Sequence, residues 1–404
     1  MEKTEDQPSF KIRLTVWLCR VIVGATFIVS GWAKSVDPWG FVYKIEEYLN
    51  VWSLSLSREL TLTASVSLSV NEFATGNIIF VGAMRRGAVW IAMAFMGVML
   101  PLTVWIAVAD PVSDCGCFGD FIVFSNVTTL IKNIILSVLV IVLFAYNGKV
   151  KGLYSFNSQW LVVTAAVAYP AALAFIGYRY QPLVDFRPYP VGAPVISESA
   201  GMAQPGGDLF VYEKDGERRE FTLDCIPDST WTFVEANSTY SPERSDNLVI
   251  SDQGDDITED LISGDSCIIL LVISNPDIHS MTRSRLANQL STRAEAEGWK
   301  FFAIIAAEDE KLEAWTALAS PDYPVYSAED TALKELVRGD AALVWINNGI
   351  ITHKLNLVAV DHNEALHDPD FLSGAMTPVR SATYWWLTGI FLLWLLTLLP
   401  YHRK

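Results

Sequence analysis

The sequence predicts an α-helical membrane bundle that carries a separate α/β domain outside the bilayer. Two observations lead there. Apolar and charged residues are segregated along the 404 residues, which is how 51% hydrophobic and 18% charged content coexist in one chain. The stretch before the last apolar segment alternates buried-strand runs with amphipathic helical patterns, the signature of an α/β fold. A chain of this length is expected to hold two or three domains. Its net charge of −16 argues against a nucleic-acid partner, which would need a basic face.

A spanning helix needs about 20 mostly apolar residues. Leu14 to Ala33 qualifies, as do Ala88 to Ala109, Thr128 to Tyr146 and Trp160 to Tyr178. Leu60 to Val81 qualifies less cleanly because it contains Asn71 and Glu72. Tyr384 to Pro400 is short but densely apolar, with Trp385 and Trp386 as an interfacial anchor. The amino terminus is not a signal peptide by pattern: Glu2, Glu5 and Asp6 spoil a basic leader, so the first apolar run reads as a retained span.

Orientation follows from the basic flanks. Lys3, Lys11 and Arg13 precede the first span, Arg85 and Arg86 lie between the second and third, and Lys149 and Lys151 between the fourth and fifth. His402, Arg403 and Lys404 end the chain. Six spans put all four clusters on one side, the cytoplasm. Both termini are then cytoplasmic and residues 179–383 face the periplasm or exterior, together with the loop DPVSDCGCFGD. Lys34, Lys44 and Arg58 run against the rule in one exterior loop, diluted by Asp37, Glu46, Glu47 and Glu59. Asp37 to Trp52 places Phe41, Ile45, Tyr48, Leu49 and Trp52 near one helical face, so it reads either as a surface helix or as a packed loop.

Of the five cysteines, Cys115 and Cys117 form Cys-Gly-Cys on the oxidising side, where disulfides form. Gly116 gives the backbone the freedom such a short bridge requires, and a strained bridge is more reducible. Lys132, placed in the first turn of the next span, would raise the thiolate fraction. A static staple or a tight turn of small residues remains the alternative. Metal binding is disfavoured, since only Asp114 and Asp120 flank the pair. Cys19 sits near the opposite face, a bilayer core of about 30 Å away, and reads as a packed hydrophobe. Cys225 and Cys267 lie in the exterior domain, where they pair with each other, serve as a partner thiol, or are unpaired and buried, the last above all for Cys267 in its apolar run.

RVIVGATFIVSGWAKSVDP, VNEFATGNIIFVGAMRR and SDCGCFGD followed by TTLIKN together resemble the DoxX/MauE family of redox-associated membrane proteins over about residues 14–147. The resemblance implies a four-helix membrane core with a thiol-active loop, associated with disulfide formation or maintenance in an extracytoplasmic partner. It implies Cys115 and Cys117 as the redox pair, with Lys34, Glu72 and Lys132 as polar residues of the core. Glu72, an ionisable group inside a span, is either functional or hydrogen-bonded glue between helices. The domains expected are a four-span core over 1–152, a fifth span over 153–180, a linker over 181–207, an exterior domain over 208–375 and a final span over 381–404.

In the exterior domain, DLFVYEKDGERREFTL reads as two strands around Lys214-Asp215-Gly216. CIILLVIS is a buried strand, SMTRSRLANQLSTRAEAEG a helix and KFFAIIA a second buried strand. EDEKLEAWTALA and AEDTALKELV are helices, and AALVWINNGIITHKL is a hairpin turned at Asn347-Asn348-Gly349. This order resembles the thioredoxin fold. That fold's CxxC position holds NPDIHSM, without a cysteine, and its cis-proline is replaced near Ala341. A thioredoxin-like domain without thiolates is a binding module rather than a catalyst. His279 reads as a lone exposed histidine, and the Asp361-His362 and His367-Asp368 pairs as a polar linker.

The function expected is thiol–disulfide exchange at Cys115 and Cys117 by a membrane protein whose exterior domain docks a protein partner. A quinone is the candidate electron carrier, and no other cofactor is indicated. The alternative is an envelope scaffold with a static Cys-Gly-Cys staple. A transporter, motivated by Glu72 alone, is weaker.

Overall fold

The computed structural model describes residues 9–196, 209–214, 217–221, 232–237, 248–263, 267–276, 283–307, 309–368, 371–372 and 379–398. The chain divides into two compact units, Met1–Arg187 with Leu355–Lys404, and Pro188–Lys354. Cys225, His279 and the turn residues Asp215 and Gly216 lie outside the described residues.

The first unit is helical. Helix α1 (Phe10–Val36) starts on Ser9, whose Oγ accepts the Ile12 N–H. Asp37 ends it and caps the next helix, α2 (Pro38–Val51), by accepting the Gly40 N–H at 2.9 Å. The segment read as helix or loop is therefore a helix. It buries Trp39, Phe41, Val42 and Tyr48, while Ile45 and Leu49 are half-buried and Trp52 is exposed. Helix α3 (Arg58–Val81) stops at Gly82, whose φ of +71° is the left-handed geometry of a helix C-terminus. Helices α4 (Gly87–Ala109), α5 (Asn126–Tyr146) and α6 (Gln159–Arg179) follow.

Four helical segments are long and apolar enough to cross a membrane: Phe10–Val36, Gly87–Ala109, Asn126–Lys149 and Phe156–Arg179. Their outward residues, among them Val98, Val108, Val127, Ile131 and Val138, are more than half exposed. Such a surface suits acyl chains rather than water. Helix α3 falls short on composition because it carries polar residues on both faces: Thr61, Ser65, Ser69, Thr75 and Asn77 are buried, and Thr63, Ser67 and Asn71 are exposed. It nevertheless runs antiparallel to α1 along much of its length, since Gly31 packs on Phe73, Gly24 on Phe80 and Arg20 on Gly82. A Cβ at Gly24 would stand 2.7 Å from Phe80 Cβ, and one at Gly76 2.7 Å from Phe27 Cβ. Glycine lets the two backbones approach, as small residues do between membrane helices.

The last helix of the chain, α12 (Val379–Leu398), contains the shorter apolar stretch Thr383–Thr397. It packs on α6, where the Tyr169 ring stacks on Phe391 at 4.5 Å and the Tyr169 and Thr388 hydroxyls lie 3.0 Å apart.

The second unit is built on a seven-stranded sheet whose strands lie in the order Ile350–Asn356, Ala341–Asn347, Cys267–Ile273, Lys300–Ile305, Val325–Ala328, Ile250–Asp252 and Asp255–Asp256. Strands β4 (Ile250–Asp252) and β5 (Asp255–Asp256) form an antiparallel edge, followed by the short helix α7 (Thr258–Ile262). At the centre, β6 (Cys267–Ile273) and β7 (Lys300–Ile305) are parallel, with α8 (Ser284–Ala296) between them in sequence. Ile268 to Ile273 are all buried, which is why this strand reads as a continuous apolar run. Helix α9 (Asp309–Ala319) leads to β8 (Val325–Ala328), parallel to β7, and α10 (Asp330–Leu336) leads to β9 (Ala341–Asn347), antiparallel to β6. Strand β10 (Ile350–Asn356) completes the hairpin through Asn348 at φ +51° and Gly349 at φ +73°, the two left-handed residues that a type I′ turn needs.

The sequence reading did not foresee β4, β5 or β8. Nor did it foresee the third strand of a separate sheet, in which β1 (Leu209–Lys214) pairs antiparallel with β2 (Glu217–Phe221) and β3 (Thr232–Asn237). In the first unit, α11 (His362–His367) covers the histidine pairs read as a polar linker.

Candidate functional site

The loop between α4 and α5 is closed at its base by one side chain. Asn126 Nδ2 donates to Asp110 Oδ1 at 2.7 Å and to the Val112 carbonyl at 3.0 Å, so the two ends of the loop are tied together. Within it Cys115 and Cys117 are thiols whose sulfurs face each other at 2.9 Å. Gly116 between them has a φ of +67°, and a Cβ there would meet Lys44 Cγ at 2.5 Å. A side chain at this position would be strained by its own backbone and would displace Lys44.

Helix α2 holds the outer side of this turn. Tyr48 donates to the Cys115 carbonyl at 3.0 Å, and Lys44 pairs with Asp114 at 2.8 Å. Asp114 in turn accepts the Gly116 N–H at 2.7 Å. The sequence reading missed Lys44, Tyr48 and the role of Asp114. Their signal was the spacing of Lys44 and Tyr48, one helical turn apart, but nothing in the sequence says which loop that helix crosses.

The inner side is built by α1 and α3. Lys34 and Glu72 form an ion pair at 2.7 Å. Ser30, one turn before Lys34, donates to Glu72 at 2.7 Å and also contacts the Cys117 carbonyl through its hydroxyl. Lys34 is not the loop charge that its position against the basic flanks suggested. It lies in the last turn of α1, only 3% exposed, because Glu72 compensates it there. Lys132 also differs from expectation: α5 begins at Asn126, so Lys132 stands on its second turn, with Nζ 4.5 Å from the Phe118 ring centroid.

Lys34, Glu72, Cys117 and Lys132 line one small cavity of about 30 Å³, together with Ser30 and Asn133. Cys115 lies outside that lining, buried against Tyr48, Ile106 and Val112. The two thiols therefore differ in setting. The hydrogen bond from Cys115 holds the Cys117 thiol down to about 6 against the cost of its burial, and the Lys132 and Lys34 ammonium groups pull the same way. Cys115 is pushed up, by its hydrogen bond to Cys117 and by burial. The cavity lined by Lys34 and Lys132 thus reaches one sulfur of the pair and not the other.

The remaining candidates fall elsewhere. Cys19 is buried in the apolar core of the bundle, as expected. Cys267 is a free thiol at the start of β6. Among the described residues no three His, Cys, Asp or Glu side chains converge as metal ligands.

Residues 12–146 match the family described as Methylamine utilisation protein MauE, a match covering about a third of the chain. The membrane core is MauE-like. Residues 209–240, which include the three-stranded sheet, match a domain of unknown function, DUF8463. No curated protein and no solved structure matches the chain. All the site residues named above fall within the MauE-like segment, and its helices make the chain a multi-pass membrane protein.

Proposed function

We propose that this MauE-like protein exchanges disulfides at Cys115–Gly116–Cys117 and so supports disulfide formation or maintenance in an extracytoplasmic protein. The observation that carries the reading is the facing pair of unequal thiols, with Cys117 beside the cavity that Lys34 and Lys132 line. In one direction, the Cys117 thiolate attacks a sulfur of the partner's disulfide, forming a mixed disulfide and releasing one partner thiolate. Cys115 then gives up its proton and attacks Cys117, closing the Cys115–Cys117 bond and releasing the second partner thiolate. Two electrons and the Cys115 proton pass to the partner, whose second thiolate takes its proton from water. Run backwards, the same atoms oxidise a partner dithiol.

The ion pair of Lys34 with Glu72 holds the inner wall in this reading, and Lys132 stabilises the thiolate. A quinone does not fit beside Cys117: about 30 Å³ holds a water or two, far below the roughly 300 Å³ at which small-molecule sites begin.

The second unit is read as a thioredoxin-like docking domain. Support comes from the parallel β6 and β7 joined through α8, with the β9–β10 hairpin antiparallel beside β6. No cysteine follows Cys267 in the sequence, so the position after β6 has no thiol to exchange.

Tagging free thiols in whole cells with a maleimide of added mass tests the reading. Wild type is expected to show reduced and oxidised Cys115–Cys117 together. A pair that is always fully oxidised, with Cys115→Ser and Cys117→Ser indistinguishable from wild type in function, would leave only a staple.

A further inference from the structure

At the end of the helical bundle opposite the paired thiols, a second and much larger concavity has no part in thiol chemistry. Its volume is about 950 Å³. Arg13 of α1, Arg85 and Arg86 of the α3–α4 turn, and Lys149 and Lys151 after α5 all line it. No acidic side chain does so among the described residues, in a chain whose net charge is −16. None of the five forms an ion pair with a described carboxylate. Five like charges around one hollow repel one another, and an anion would relieve that repulsion.

The hollow is built rather than incidental. Arg20, fully buried beneath it, donates from Nε to Asn147 Oδ1 at 2.7 Å and from Nη2 to the Val150 carbonyl at 2.7 Å. Its Nη1 reaches the Lys151 carbonyl at 3.0 Å. Asn147 Nδ2 donates to the Arg85 carbonyl at 2.6 Å, and Arg85 Nη1 donates to the Gly148 carbonyl at 2.9 Å. These bonds tie the α3–α4 turn to the segment after α5 and so fix both basic walls. Arg86, Lys149 and Lys151 are exposed and are left to face the opening.

We propose that this hollow binds the headgroup of an anionic phospholipid. Lipid is favoured over a soluble anion by the apolar part of the lining. Trp90 and Phe144 pack edge to face at 4.9 Å on the outward surfaces of α4 and α5, 62% and 48% exposed, so the hollow opens onto the same surface that acyl chains would cover. Tryptophan at this depth is an interfacial residue. The volume exceeds the needs of a single phosphate, and basic hollows between membrane helices suit lipids with more than one. Two phosphates set against five cations leave the site cationic, which suits an anionic membrane surface.

The test uses the full-length protein in neutral detergent, with lipid retention read by native mass spectrometry. Cardiolipin, with two phosphates, is expected to be retained at least about tenfold better than phosphatidylcholine, and phosphatidylglycerol to fall between them. Arg86→Gln with Lys149→Gln should lower cardiolipin retention by about tenfold, and Lys300→Gln with Lys311→Gln, an equal charge change on the soluble unit, should not. Inorganic pyrophosphate at millimolar concentration should fail to displace the lipid. Equal retention of cardiolipin and phosphatidylcholine overturns the proposal, as does displacement by pyrophosphate, which would make this a soluble-anion site. Should the double variant misfold, raising salt on wild type replaces it. Cardiolipin retention must then fall as screening increases, and salt-independent retention also overturns the proposal.

Discussion

Cys117 and Cys115 are the same residue type two positions apart, yet their surroundings drive them in opposite directions. The Cys117 thiol is held to about 6 by the hydrogen bond from Cys115, with Lys132 and Lys34 adding to it, while Cys115 is raised. A thiol held at this value is mainly thiolate above it and loses that form as pH falls through it. Iodoacetamide should therefore alkylate Cys117 of the reduced protein at a rate that is flat above about pH 7 and falls below about pH 6. Lys132→Met should move that fall upward by roughly one unit, followed by mass spectrometry of the loop peptide. The sequence showed the Cys-Gly-Cys pair, Lys132 and Glu72, because each is conspicuous in its local context. It did not show which sulfur takes the charge. That depends on Lys34 of α1 and Lys132 of α5 reaching the cavity beside Cys117, and the sequence does not show that these helices meet there.

Among the elements, α3 departs furthest from its sequence pattern. It is the least apolar of the long helices because polar groups lie on its inward stripe, Glu72 among them, and also at the exposed Thr63, Ser67 and Asn71, while glycines at 24, 31 and 76 let it lie close against α1. Glu72→Gln should leave Lys34 charged, buried and without its ion-pair partner. The expected cost is about 3–5 kcal/mol, seen as a lower thermal midpoint in detergent, and adding Lys34→Met should recover much of it. Equal loss in the single and double variants would mean that the pair is not coupled. Strands show the same contrast between pattern and context. Strands β6 and β7 were legible as apolar runs, and the β9–β10 turn as Asn-Asn-Gly with its left-handed residues. Strand β8 was not: four half-buried residues just after Pro321 and Pro324 carry no periodicity of their own, and parallel pairing with β7 makes them a strand.

For the whole molecule, the basic clusters argue a single orientation. Arg13, Arg85, Arg86, Lys149 and Lys151 share one hollow, and the thiol loop closes over the other end of α1 and α3. A reporter fused after Gly152 should read as cytoplasmic and one after Gly207 as exterior; the reverse would overturn the orientation and move the thiols to the reducing side. The segregation of apolar and charged sequence made the membrane bundle and the α/β unit legible. The edge of its sheet was not legible, because β4 and β8 become strands through their pairing with each other and with β7.

The measurement that bears most directly on the central claim is covalent trapping in intact cells. If Cys117 is the attacking sulfur and Cys115 resolves the mixed disulfide, Cys115→Ser should accumulate the protein in a larger adduct that a reductant releases, and Cys117→Ser should not. An adduct formed by Cys117→Ser alone, or by neither variant, would contradict it.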